Sequence, residues 1–254
     1  MSWEIILAGF LVGILIGLTG MGGGSILTPA LILLFNIDPV TALGTGFVVS
    51  ALTRAVGAWN HWRLGNVQCT TVVRLLRGCL PGVLLGFGIL KLIERYALVP
   101  LNDFLRHAIG VALILVALTM LFPSFWNRLQ ERARQLSERR RERWIGLSTL
   151  LVGILIGITS VGTGSLLVPF LIAFFPASLP QVVGVNVFHG SIITVVSALL
   201  HSVSGSVDWK IGWQMLAGMV PGILAGSQLS VLVPKRTLEL ILASTLLTTS
   251  IKLI

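Results

Sequence analysis

Two short stretches carry the residues best suited to chemistry. "GMGGGSILTP" (20–29) and "SVGTGSLLVP" (160–169) each set glycines and hydroxyls in the middle of an apolar run. Glycine costs about 1 kcal/mol relative to alanine in a helix interior, so a cluster of them marks a deliberate break. A helix restarting after such a break points its first N–H groups and the positive end of its dipole at whatever lies before it, and both favour an anion. Gly22, Gly23 and Gly24, and in the second stretch Gly162 and Gly164, let backbone approach a ligand with no Cβ in the way. Ser25, Thr28, Thr163 and Ser165 add hydroxyl donors. Two such ends facing each other would form one anion site.

Arg54 is the basic residue deepest inside an apolar segment, in "GFVVSALTRAVGAWNHW". Intramembrane charge is costly and marks function by default. Ser50, Arg54, Gly57 and His61 recur at helical spacing on one face, and Asn186, Gly190, Ser197 and His201 make a second small, polar stripe with His189 beside it. His189 could contact substrate or relay a proton. The nine Asp and Glu lie near segment ends, no His/Cys/Asp/Glu grouping has metal-ligand spacing, and no triad or nucleotide fingerprint is present. These absences lead us to expect neither metal, cofactor nor enzymatic activity, and they argue against a cation carrier.

The elements that must position these residues are membrane helices. Of 254 residues 55% are hydrophobic and 11% charged, with a mean hydropathy of +0.95, against about 25% charged in soluble domains. The apolar runs are helix-length without strand alternation, so the fold class is all-α and polytopic, in the cell (inner) membrane. The chain is also duplicated. At an offset of 140, "GILIGLTGMGGGSILTPALI" (13–32) overlies "GILIGITSVGTGSLLVPFLI" (153–172), Gly65 overlies Gly205 and "LPGVLLG" (80–86) overlies "VPGILAG" (220–226). We read residues 1–124 as a first repeat, 125–144 as a basic linker and 145–254 as a second repeat, with substrate at the repeat interface.

Each half reads as five apolar segments: 3–20, 25–36, 40–60, 70–92 and 101–122, then 145–159, 165–175, 181–203, 211–233 and 237–254. The second segment of each is too short to cross alone, and in the first half the two joined, 3–36, would be about 51 Å long, beyond a hydrocarbon core of about 30 Å. The first helix of each half is therefore broken at its glycines, leaving about eight membrane helices. A hairpin at the break makes the halves inverted, whereas a single crossing makes them parallel. Charge does not decide between these. With the linker inside, both topologies leave twelve Lys and Arg inside and five outside, and segment length leans to inversion. The linker's seven arginines and three glutamates suit the cytoplasmic membrane face and its anionic lipids, not nucleic acid. Cys69 and Cys79 are read as apolar fillers, and homo-oligomerisation stays open.

The doubled glycine pattern resembles the sulfite exporter TauE/SafE family. It is joined by "PVTALGT" (39–45), "GNVQ" (65–68), "GSVD" (205–208), "GVNVFHGSIIT" (184–194) with His201, and the "LPG…G" motif. The resemblance covers nearly the whole chain. It implies a permease for a small sulfur-containing anion, such as sulfite or a sulfonate, working by alternating access. It also implies a site lined by the glycine turns 22–25 and 162–165 and by the starts of the third helices, around Thr45 and Asn186. Arg54 stands where related sequences often carry a lysine. Two departures are Thr163, in place of the middle glycine, and Gly46, where a polar residue would be expected. An anion channel, or a transporter of another small solute, is the alternative reading.

Overall fold

The computed structural model describes residues 2–19, 23–97, 99–122, 128–129, 131, 135–175, 177–229 and 235–254. Gly22, with Gly20 and Met21, lies outside them. The described residues form helices α1 (Ser2–Thr19), α2 (Gly24–Phe35), α3 (Pro39–Arg63), α4 (Cys69–Tyr96) and α5 (Leu101–Leu121) in the first half. The second half holds α6 (Glu138–Thr159), α7 (Leu167–Phe174), α8 (Leu179–Val203), α9 (Trp209–Leu229) and α10 (Lys235–Leu253). Among them α3, α4, α5, α6 and α8 are long and apolar enough to cross a membrane.

Burial is distributed as lipid solvation requires. Leu11, Leu84, Leu85, Leu115, Leu151 and Leu199 are exposed, while Ser50, Arg54, Thr163, Asn186, His189 and Ser197 are buried. A water-soluble domain shows the reverse pattern.

Helix ends follow local chemistry, and they do so twice. The Asp38 side chain accepts from Thr41 N at 3.0 Å, with Pro39 at the first position of α3. At the matching place Ser178 and Gln181 form a capping box, with Pro180 in the first turn of α8. Helices α3 and α8 both stop in the same paired turn. Gly65 (φ +70°) and Gly205 (φ +72°) occupy the left-handed position. Asn66 N bonds back to His61 O, and Ser206 N to His201 O.

Two elements depart from the sequence reading. Helix α6 begins at Glu138, inside the stretch assigned to the linker, because Arg and Glu are good helix formers and Glu138 suits a first turn. An ion pair of Arg74 with Glu142, at 3.5 Å, ties this extension to α4. Helix α7 begins at Leu167, two residues after the start of the segment read as 165–175. Ser160 and Gly162 take positive φ and hold residues 160–166 as turns.

The heaviest packing joins the two halves: α1 on α9, α4 on α6, α3 on α8 and α5 on α10. Under the 140-residue offset the first two are images of each other. A Cβ on Gly13 would meet Met219 O, and one on Gly153 would meet Cys79 O. Gly17 faces Ile223, and Gly157 faces Val83. In both pairs residue numbers rise together, so these helices run parallel. Between α3 and α8 the numbers run oppositely: Gly44 lies on Ser206, Arg54 on Gly190 and Gly184 on Asn66. These equivalent helices therefore run antiparallel to each other. The short helices are enclosed, α2 by a cluster that includes Leu27, Leu31, Leu113 and Met219, and α7 by Leu75, Ile145 and Val185.

Glycine is needed where α1 meets α9 and α4 meets α6, because the neighbouring atoms are backbone. Gly13→Val and Gly153→Val should each cost about 1–3 kcal/mol, the usual range for overpacking. The check is the unfolding midpoint of detergent-purified protein, which should fall comparably for the two variants.

Candidate functional site at the two helix breaks

The two breaks meet. Thr28 Oγ1, one turn into α2, lies 2.8 Å from Ser160 Oγ at the end of α6, either hydroxyl donating. Ser160 Oγ also reaches Gly24 O at 3.5 Å, and a Cβ on Gly24 would collide with Ser160 O. Gly46 gives Thr28 its place, since a Cβ there would sit 2.6 Å from Thr28 Oγ1. A polar side chain at 46 would displace the contact between the breaks.

Helix α3 then presents one face to both breaks. Ser50 lies against the first, where a Cβ on Gly23 would stand 2.7 Å from Ser50 Oγ. One turn later Arg54 reaches the second. Its Nη1 donates to Thr163 O at 3.2 Å, and its Nη2 donates to Thr163 Oγ1 at 3.1 Å. The turn at 160–166 leaves carbonyls without helical partners, and Arg54 satisfies one of them. Gly190 on α8 opens the passage, since a Cβ there would collide with Nη1.

Arg54 is 8% exposed, and among the described residues no carboxylate pairs with it. Several further polar atoms here are buried without a hydrogen-bond partner among the described residues: Arg54 Nε, Ser50 Oγ, Ser165 Oγ, Asn186 Oδ1 and both ring nitrogens of His189. Such atoms call for explanation in a folded protein. His189 precedes Gly190, the residue packed against the Arg54 guanidinium, on α8 and is 1% exposed. No metal-binding group of three His, Cys, Asp or Glu is found among the described residues.

The sequence-predicted residues therefore divide. Arg54, Thr163, Gly23, Gly24 and Thr28 lie at the meeting of the breaks, and His189 lies close by. Ser25 is buried in the first turn of α2, and Gly162, Gly164 and Ser165 are buried in the 160–166 turn. Thr45 stands apart, about 13 Å along α3 from Arg54. Its hydroxyl accepts from Asp208 N at 3.0 Å and holds the α8–α9 turn. Ser160 escaped sequence reasoning, although its alignment with Gly20 in the duplication was a visible signal.

Comparison with known proteins gives this geometry a context. The model of the family described as sulfite exporter TauE/SafE matches residues 5–253. The chain belongs to the sulfite exporter TauE/SafE family. Its relatives include the probable membrane transporter protein YjnA of Bacillus subtilis, 36% identical with both chains fully covered. A second is YdhB of the same organism, also named a probable membrane transporter protein, 29% identical over 92% of this chain and 93% of its own. A third, from Haemophilus influenzae, carries the same description and is 31% identical over 79% of this chain and 73% of its own. No solved structure matches. The TauE/SafE chain is thus a multi-pass transporter of the cell membrane, with a buried arginine at the junction of its halves.

The Thr28–Ser160 contact is testable without a substrate. In a Cys69→Ser/Cys79→Ala background, Thr28→Cys with Ser160→Cys should form a disulfide under mild oxidation, seen as loss of both free thiols and their return on reduction. Two persistent thiols would show that the breaks do not touch.

Proposed function

We propose that this protein is a permease for a small sulfur-containing anion, sulfite or a sulfonate, held where the two breaks meet and moved by alternating access. The observation that carries this reading is Arg54, a buried guanidinium that among the described residues bonds only to the uncharged Thr163. Bringing a cation into this environment without a counter-ion is costly, and a mobile anion offsets that cost when bound. The donors around it suit tetrahedral oxygens: the remaining guanidinium N–H groups, the hydroxyls of Ser50, Thr163 and Ser165, and the glycine-flanked backbone at 23–25 and 162–165. Gly22, Asn186 and His189 complete the proposed lining. Thr45, committed to Asp208, acts through the shape of the α8–α9 turn. Binding and release are the whole chemistry, with no bond made or broken.

The antiparallel packing of α3 on its equivalent α8 supports inverted halves, each opening as a hairpin. Each half then crosses an odd number of times, and the positive-inside rule puts the arginine-rich linker in the cytoplasm. Arg63, Arg74, Arg77, Lys235 and Arg236 lie on that side. Lys91, Arg95, Arg106, Lys210 and Lys252 lie outside, with both ends of the described chain. Inverted halves also supply a route to alternating access, by exchange of the conformations of the two repeats.

Sulfite flux into proteoliposomes tests the reading. Arg54→Ala should abolish it and Gly190→Ala should lower it at least tenfold by displacing the guanidinium. Arg54→Lys should keep part of it. All three variants should elute as folded protein. Undiminished flux in Arg54→Ala would remove the arginine from the mechanism, and large uncoupled anion currents would make the protein a channel.

A further inference from the structure

The seam between α3 and α8 extends beyond the anion site in both directions. On α8 the buried polar face continues from Gly190 through Thr194 and Ser197 to His201, about 16 Å along the helix. On α3 the polar face continues from the buried Arg54 through half-buried Gly57 to half-buried His61. Because the helices are antiparallel, His201 and His61 lie at opposite ends of one seam. They are equivalent under the duplication, and each has a buried Nδ1 with no hydrogen-bond partner among the described residues.

The two ends are nevertheless closed differently. His201 is 3% exposed. Its ring stacks on Phe47 with centroids 5.3 Å apart and meets the edge of Phe87 at 5.1 Å. Above it runs a crevice whose lining includes Leu43, Phe87, Lys91, Glu94, His201 and Ser206. Lys91 and Glu94 pair at 2.7 Å, both half-exposed. His61 is only half-buried, and the positions equivalent to Phe47 and Phe87 are Val187 and Ser227. Among the described residues the aromatic clamp is found at the His201 end.

We propose that His201, clamped between Phe47 and Phe87, is the plug that closes the anion path on the face bearing Lys91, and that this structure is the state with that end shut. A purely apolar filler would need no imidazole on the polar stripe, whereas His201 sits on that stripe between two aromatic rings and lines the crevice beside Lys91. The plug has an apolar clamp that excludes water and a polar tip that a passing oxyanion can meet when the clamp opens. This inference rests on the anion site proposed above, but its test does not depend on the identity of the substrate.

The test is accessibility at Ser197, one turn inside the plug, buried and with its hydroxyl bonded to Ile193 O at 2.9 Å. In a Cys69→Ser/Cys79→Ala background carrying Ser197→Cys, a membrane-impermeant anionic methanethiosulfonate is added from the Lys91 side. The thiol should react slowly when His201 is intact and at least tenfold faster with His201→Ala. Phe87→Ala, which keeps the histidine and removes one wall of its clamp, should accelerate labelling as well and serves if His201→Ala does not fold. Equal rates with and without the substitutions, or fast labelling of Ser197→Cys alone, would overturn the plug. If labelling responds as expected while sulfite flux is absent, the path stands and the substrate assignment falls.

Discussion

A peptide backbone that leaves its helix inside a bilayer must find its hydrogen bonds in protein, because lipid offers none. That constraint organises this molecule. Both glycine-rich breaks leave helical ends at membrane depth, so each must be enclosed by the other half. The α1–α9 and α4–α6 pairs, brought close through glycine, and the crossing of α3 over α8 supply the enclosure. Thr28 with Ser160, and Arg54 with Thr163, are the polar bonds made across that enclosed junction.

The duplication builds a nearly symmetric frame, and a few substitutions break the symmetry where chemistry is needed. Arg54 is matched by Thr194, Gly23 by Thr163 and Ser50 by Gly190. These positions interlock. Ser50 lies against Gly23 at one break, and the absence of a side chain at 190 lets the arginine reach Thr163 at the other. The result is one arginine on the helix face that packs against both breaks, with Ser50 at the first and the guanidinium bonded to Thr163 at the second. The clamp around His201 is a second departure from symmetry, and it makes the two ends of the α3–α8 seam distinguishable.

Much of this was legible in the sequence, for physical reasons. The α2–α3 boundary was readable because Asp38-Pro39 is a strong local start signal, and its image Ser178-Leu179-Pro180 repeats it. The breaks were readable because glycine clusters are expensive in helices. Pairing direction was not readable, since lysine and arginine counts are the same for both topologies and only side-by-side contacts such as Gly44 with Ser206 reveal it. The late start of α7 was hidden as well, because Gly162 and Ser160 adopt left-handed backbone that the apolar pattern of "GSLLVP" does not disclose. The partner of Thr45 was hidden too, since its hydroxyl accepts from Asp208 N in the α8–α9 turn, 163 residues away in sequence.

The central claim is that two breaks and one arginine make one anion site. Isothermal titration of the detergent-purified protein with sulfite measures this directly. The account predicts saturation at one anion per chain. Saturation at two equivalent anions per chain, or no detectable binding, would contradict it.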